Sequence, residues 1–359
     1  MVKLGLERII KKLSFGVKSL ATISALAVLI PSCIQSKESK APLEGRVVFV
    51  SNKDGRNSLS LMSYSPDFEE VSIRPLKYEG RFDFRNSNIS ASPDGRLVFD
   101  EYKEEENVYR LFILDLQTGR TKQITHEGYS DLRPAWSPKG DEIMFAKQYG
   151  SLNHDICAVN PEGSGFRKLT DTEESQETWP TCSPDGERVA FVSDTFPDKS
   201  DHPTENSIYV IDRDGKNSVR ILKSNSPILE LAWSPKGDRI AYVRYSKGSH
   251  FDIFLIDSAG KEEPINKTDY GSQEESPHLS ATSVSWSPDG QFILFGSSKG
   301  AGRITYDISP NGRKSNERYQ SDYDSDICAI RVDGKSEVIT IAGNPSVIEK
   351  EPVCLPSLK

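Results

Sequence analysis

The sequence predicts an all-β chain, a six-bladed β-propeller of four-stranded antiparallel blades closed by pairing of its N- and C-terminal segments. Three observations carry this. Ser-Pro-(Asp/Lys)-Gly recurs at Ser92–Gly95, Ser137–Gly140, Ser183–Gly186, Ser234–Gly237 and Ser287–Gly290, with spacings of 45, 46, 51 and 53 residues. A period near fifty with turn chemistry at a fixed place marks stacked β units. Around each turn lie short alternating stretches with Gly, Pro, Asp and Asn at the joints, four per unit. The two chain ends also supply complementary halves of one further unit.

Each unit follows one template. An extended stretch enters Ser-Pro-Asp-Gly. A second strand follows, at Arg96–Phe99, Glu142–Phe145, Arg188–Val192, Arg239–Val243 and Gln291–Phe295. A third lies at Arg110–Asp115, Asp155–Asn160, Ser207–Asp212, Asp252–Asp257 and Asp326–Val332. A glycine turn then leads to a short strand ending Ile124-Thr125, Leu169-Thr170, Ile221-Leu222, Ile265-Asn266 or Ile339-Thr340. Four-stranded sheets repeated radially form a propeller. The residue before Ser-Pro is Trp136, Trp233 or Trp286 in three units, Cys182 in another and Ala91 in the first. Period-two alternation puts this column and the one two residues before it on one strand face, so the tryptophans are expected to pack between units. Pro352–Pro356 repeats the approach to Ser-Pro, and Gly45–Ser51 nearly repeats Arg188–Ser193. The closing blade is therefore expected to take its inner strand from the C-terminus and its outer strands from residues 45–76, which hides sheet edges.

The N-terminus reads differently. Lys3, Arg8, Lys11, Lys12 and Lys18 precede the apolar run Leu20–Ile30, and Cys33 follows. This is the pattern of an export signal, and the run is short for a membrane-spanning helix. Ile30-Pro31-Ser32-Cys33 resembles a bacterial lipobox, whose cysteine becomes the lipid-bearing first residue. Cys33 is the expected lipidation site, with a soluble secreted form and an uncleaved anchor as alternatives. The expected organisation is a signal at 1–33, a polar tether at 34–44 and the propeller at 45–359. Residues 1–32 hold five basic residues and one acidic one. The remainder has 40 Lys and Arg against 52 Asp and Glu, a net charge of −12. An acidic body argues against nucleic acid, whose phosphates call for clustered cations.

The units resemble the TolB-like propeller, whose blade signature is a Trp-Ser-Pro-Asp-Gly turn, a strand ending Phe-x-Ser, an Asp-Ile-Tyr strand and a Leu-Thr end. Trp286–Gly290, Phe191-Val192-Ser193, Ile208–Asp212 and Leu169-Thr170 carry the resemblance, which covers about residues 45–359. It implies a fold more than a function, because such propellers serve many roles. TolB itself carries an α/β domain before its propeller and docks a peptidoglycan-associated lipoprotein over its central opening. Here only the tether is expected before the propeller, so that partner is not carried over.

Catalytic motifs are weak. The Asp-Gly turns lack the alternating acids of a calcium loop, and Lys139 and Lys236 replace the Asp in two units. Turn geometry accounts for them. Gly296–Gly300 matches Gly-x-Ser-x-Gly, but a nucleophile elbow needs a following helix and a downstream His, and no His follows His278. Of His126, His154, His202, His250 and His278, only His126 and His278 belong to loops near the axis. A metal site wants three or more ligands, so exposed loop histidines are expected, although a TolB-like relative, the oligogalacturonate lyase, gathers metal-binding histidines at its centre. No catalytic residue, metal or cofactor is expected. Cys157 and Cys328 share a template position in their third strands, and Cys182 and Cys354 share one in the inner strands. In an oxidising compartment the repeat symmetry selects Cys157–Cys182 and Cys328–Cys354 as disulfides, with buried small hydrophobes as the alternative.

Propellers bind at the channel mouth. The residues three before the tryptophan column are Asn88, Arg133, Trp179, Glu230, Ser283 and Glu351, and they vary in type. Arg133, Trp179, Glu230 and Glu351 suit recognition of a peptide or glycan. Two loops, Asp194–Asn206 and Ser309–Ser325, exceed the template. The expected function is a monomeric, non-enzymatic, lipid-anchored envelope scaffold that holds a protein or cell-wall component. The alternatives are a propeller enzyme acting on polysaccharide or peptide, and a glycan-binding module.

Overall fold

The computed structural model describes residues 45–354, except 52–56, 65–70, 81, 83–87, 151–152, 174, 196–204, 247–249, 258–259, 265–278, 300–302, 309–313, 321–324, 333–338 and 343–348. Strands β1 (Gly45–Ser51), β2 (Ser58–Tyr64) and β3 (Val71–Pro75) come first. The next sheet holds β4 (Ile89–Ala91), β5 (Arg96–Lys103), β6 (Val108–Asp115) and β7 (Thr121–Gln123). Then come β8 (Asp131–Trp136), β9 (Ile143–Gln148), β10 (His154–Val159) and β11 (Arg167–Lys168), followed by β12 (Ser175–Cys182), β13 (Arg188–Thr195), β14 (Glu205–Asp212) and β15 (Val219–Ser224). The fifth group is β16 (Ile228–Trp233), β17 (Arg239–Ser246), β18 (His250–Asp257) and β19 (Glu262–Pro264). The last is β20 (Leu279–Trp286) and β21 (Phe292–Lys299), the hairpin β22 (Arg303–Ile308) with β23 (Lys314–Gln320), then β24 (Ser325–Arg331), β25 (Ile339–Ala342) and β26 (Glu349–Cys354).

Within each group the strands pair antiparallel in chain order, and β21 passes over the β22–β23 hairpin to pair β24. The second long loop thus contributes to this hairpin. The second strands run further than the alternation indicated, because their polar ends pair with the equally long third strands, as in Lys103↔Val108 and Thr195↔Glu205. The chain's first and last strands share a sheet: Val47 pairs Cys354 and Ser51 pairs Glu349.

Alternation decides the packing. In β5, Leu97 and Phe99 turn toward Val48, Val50 and Leu59 of the sheet before, while Val98 turns toward Trp136, Ile143 and Phe145 of the sheet after. The same division recurs along the chain, and Leu294, Ile327 and Ala329 meet Val47, Phe49 and Met62 of the first strands. Each large side chain so buried contributes about 1.5–3 kcal/mol.

The repeated turn has a chemical logic. Gly95 N–H donates to Ser92 O, and Ser92 Oγ accepts from Arg96 N–H. The hydroxyl also donates to a carboxylate, which is Asp94, Asp185 or Asp289 in the Ser-Pro-Asp-Gly units. Where lysine occupies that position, Asp141 and Asp238 just past the glycine accept the same bond at 2.6 Å. The Asp-Gly pairs are turn chemistry.

A second glycine column sets the spacing between sheets. Gly163 has φ +88°, and a Cβ there would meet Ile124 O of the preceding sheet at 2.7 Å. Gly215 meets Leu169 O and Gly260 meets Ile221 O in the same way, each at 2.9 Å. Gly95 has a similar φ of +85° with nothing within 4 Å. Gly95→Ala is expected to cost about 1 kcal/mol from backbone conformation alone. Gly163→Ala must also push neighbouring sheets apart, and is expected to cost at least about 2 kcal/mol more. Equal urea-denaturation losses for the two variants would refute a seam role for Gly163.

The Cys157–Cys182 pairing is corrected, whereas in the Cys328–Cys354 pairing the Cys354 side chain lies outside the described residues. Cys157 and Cys182 are free thiols. In β10, Cys157 and Val159 face the preceding sheet, packing with Val98 and Trp136, while Ile156 and Ala158 face the following one. Cys182 packs on that following side, against Val189 and Leu169. Cys157 thus points away from Cys182, and strand parity forbids the bridge. Cys328 packs with Trp286 and Ile293 toward the preceding sheet. Repeat symmetry had aligned the positions without aligning the faces. Burial pushes the Cys157 thiol up to about 12, so it acts as a small core hydrophobe.

Candidate functional site: a central cavity at the inner strands

The inner strands β4, β8, β12, β16 and β20, with the turns that follow, surround one cavity of about 470 Å³. Arg133, Trp179 and Glu230 all line it, as does Asn88. Three of the four residues singled out from sequence therefore converge. Glu351 lies in β26, and its side chain is outside the described residues.

The local backbone explains the convergence. Register shifts between Leu132 and Ala135 in β8, Thr178 and Thr181 in β12, and Leu229 and Leu231 in β16 mark a β-bulge at one template position. The bulged residues have left-handed backbones: φ is 55° at Arg133, 55° at Trp179 and 39° at Glu230. For non-glycine residues this conformation costs of order 1–3 kcal/mol each, and bulges re-aim side chains next to binding sites. Pro134 and Pro180 carried the sequence signal, because proline inside a strand marks a bulge.

Buried acids hold the strained segment and the loops above it. Asp100, fully buried in β5, accepts from Asn88 N at 2.5 Å, Asn88 Nδ2 at 3.0 Å and Arg133 N at 2.8 Å. One carboxylate thus ties two cavity residues from neighbouring sheets. Burial pushes its carboxyl above the usual range, opposed by these N–H donors and by the Arg133 charge. Asp131 takes Lys147 Nζ at 2.8 Å and lies 3.6 Å from Arg110 Nη1. Arg110 in turn donates to the Gly128 and Tyr129 carbonyls, pinning that loop. Asp155 accepts from Lys168 and from Thr172 N, and Glu177 takes the hydroxyls of Thr170, Thr172 and Ser175. Burial raises the Asp131 and Glu177 carboxyls. Asp131 and Glu177 share one template position, six residues before the turn serine, a signal the sequence reading passed over, whereas Asp100 has no acidic counterpart in the neighbouring units.

The Arg133 guanidinium lies 4.2 Å from the centre of the Trp179 ring, a cation–π pair at the wall. Trp136 and Trp286 are 5% and 8% exposed and pack between sheets as expected. Trp179 and Trp233 are half-buried and line the cavity. The surface is a flat aromatic-guanidinium platform beside a carboxylate and an amide, above walls of proline and tryptophan. Such a site can hold a chain that brings both apolar and polar groups.

His126 is exposed, as expected. His154 is not: it opens β10, is 9% exposed, and pairs in parallel register with Gln176 of the next sheet. The extra contact between the sheets encloses it. His202, His250 and His278 have side chains outside the described residues. Among the described residues no cluster of three or more His, Cys, Asp or Glu side chains is arranged to hold a metal, and no helix is long and apolar enough to cross a membrane. Cys33 and the tether lie outside the described residues.

No family model matches the chain. It is 34% identical over 168 residues to an uncharacterised protein of Agrobacterium fabrum, covering 43% of this chain and 53% of that one. It is 32% identical over 170 residues to the Tol-Pal system protein TolB of Vesicomyosocius okutanii, covering 46% of this chain and 37% of that protein. The matched stretch thus spans about half or less of these relatives. Among solved structures, TolB from Acinetobacter baumannii superposes with a TM-score of 0.59 at 19% identity, over 87% of this chain and 67% of its own. A putative TolB from Agrobacterium tumefaciens gives 0.54 at 15% identity, over 88% of this chain and 100% of its own. At these identities the structural likeness is one of fold.

Proposed function

Because this chain is a TolB-like β-propeller, we propose that it is a non-enzymatic, envelope-anchored binding scaffold that holds a protein or peptidoglycan-associated partner at its central cavity. Six four-stranded units close a ring, and the sheet shared by β1 and β26 is the closure. Export and lipidation at Cys33 place the ring outside the cytoplasm, tethered by residues 34–44 and acting as a monomer. A relative named as belonging to the Tol-Pal system favours an envelope role.

One observation carries the reading. Arg133, Trp179 and Glu230 hold the same strained bulge in three successive sheets and face one cavity. A bulge that only shaped the ring would not require arginine, tryptophan and glutamate in turn, whereas recognition of an extended partner does.

The test is cross-linking in intact cells from a photoreactive amino acid at position 88. A discrete protein adduct is expected, lost in Trp179→Ala and Glu230→Ala and absent when the reactive group sits at the outer position 73. If no adduct forms and purified protein degrades a polymer, the scaffold reading fails.

A further inference from the structure

A second cavity, of about 350 Å³, opens between the β12–β15 sheet and the β16–β19 sheet. Val210, Val219 and Ile221 form one wall, and Ile240, Ile256 and Trp233 the other. Its origin is visible by comparison with the two preceding crevices. There the residue two before the end-of-strand Ile or Leu is a cation that reaches across to the next sheet's turn. Lys122 Nζ donates to Glu162 O at 3.1 Å, and Arg167 Nη1 donates to Arg213 O at 2.8 Å. Arg167 also pairs with Glu142, at the position that Arg188 occupies one sheet later. In the third crevice the strap position holds Val219, which cannot reach across and is 58% exposed. The crevice stays open and apolar.

Two donors belong to this cavity and lack acceptors among the described residues. The Arg188 guanidinium lies 5.2 Å from the centre of the Trp233 ring and makes no hydrogen bond or ion pair there. The Arg188 charge helps to hold the nearby Asp185 carboxyl low, but Asp185 directs one oxygen to Ser183 Oγ and Glu187 N and makes no ion pair with Arg188. The two acids of the lining point to other partners, Asp212 to Asn217 Nδ2 and Asp238 to Ser234 Oγ and, at 3.9 Å, to Arg239 of the lining. The Trp233 indole N–H is buried with no acceptor among the described residues, as is that of Trp136, whereas the equivalent Trp286 N–H donates to Ala232 O at 2.9 Å. A buried donor left unpaired costs about 1–3 kcal/mol, which an incoming acceptor recovers.

We infer that this inter-sheet cavity is a binding site for a small apolar carboxylate, its hydrocarbon body between Val219 and Ile256 and its anionic end on Arg188. The size fits: a cavity of about 150 Å³ lined by aliphatic side chains already holds benzene. The carboxylate belongs either to a free acid or to the C-terminus of an apolar peptide. The site shares Trp233 with the central cavity but uses none of its bulged residues, and it stands or falls apart from the scaffold reading.

Calorimetric titration of the full chain tests it with 3-phenylpropionate, its primary amide, acetyl-Ala-Leu with a free C-terminus and that peptide amidated. Saturable binding of one or both acids is expected, weakened at least tenfold in the matching amide. Arg188→Gln is expected to weaken it at least tenfold, and Val219→Lys, which restores the strap, to abolish it. Arg133→Gln, which alters the central cavity and no residue of this lining, should bind as wild type does. Binding of the free acid alone identifies a small-molecule site, and binding of the peptide alone a C-terminus site. No binding by either acid up to millimolar concentration overturns the inference, as does affinity unchanged in both Arg188→Gln and Val219→Lys.

Discussion

Asp100→Ala is expected to destabilise the protein by about 4 kcal/mol and to end partner capture at the central cavity. Asp100 is 0% exposed and its carboxylate receives three N–H donors. Hydrogen bonds to a charged acceptor contribute roughly 1.5–3 kcal/mol each, and truncation leaves buried backbone donors unpaired. The second consequence is specific to this place. Arg133 holds φ at 55°, and a strained residue keeps such a backbone only where its surroundings over-determine it. Without Asp100 the Arg133 N–H loses its fixed acceptor, and the guanidinium loses its station over Trp179. Asp100→Asn keeps the shape but turns an amide N–H₂ toward one of the donors, so about half the loss is expected. Urea unfolding gives the stability. Cross-linking from position 88, at a temperature where Asp100→Asn remains folded, gives the positioning. A variant that loses stability yet captures partner as wild type does would reduce Asp100 to a core residue.

The contrast between Asp100 and the turn serines shows what the chain discloses by itself. Ser92, Ser137, Ser183, Ser234 and Ser287 recur because every unit needs the same reverse turn, and recurrence within one sequence is visible without relatives. Arg133, Trp179 and Glu230 were legible for the opposite reason: in a fixed column, variation where uniformity would serve points to recognition. Their bulges were half written in Pro134 and Pro180. Asp131 and Glu177 share a template position six residues before the turn serine, so periodicity could have offered that pair, but Asp100 has no acidic counterpart in the next units and periodicity is silent about it. Only the three-dimensional meeting of Asp100 with a residue 33 positions away shows the role. Repetition misled once. Cys157 matches Cys328 and Cys182 matches Cys354 in the repeat, but bridging depends on which face each side chain takes, and a shift of one residue reverses the face.

His154→Gln is expected to remove a loss of stability of about 3 kcal/mol that the wild type suffers between neutral pH and pH 4. Burial, with a smaller contribution from the Arg133 charge, lowers the imidazole from its ordinary 6.5 to about 4. In the unfolded chain the same imidazole takes a proton near pH 6.5. Below that value the unfolded state binds a proton that the folded state refuses, so stability falls as pH drops from 6.5 toward 4 and levels once the folded imidazole is protonated. His154 Nδ1 has no hydrogen-bond partner among the described residues, so protonation there finds no acceptor to stabilise the charge. Asp100, Asp131 and Glu177 work the other way. Their raised carboxyls take up protons in the folded state first, which adds stability as pH falls through their folded range. The wild-type profile is therefore a partial cancellation, and only the difference between wild type and His154→Gln isolates the imidazole. That difference should shift by about 3 kcal/mol toward the wild type as pH rises from 4 to 7, with most of the change between pH 4 and 6.5. Parallel profiles would place His154 in contact with solvent and loosen the joint between β10 and β12 that supports Arg133 and Trp179.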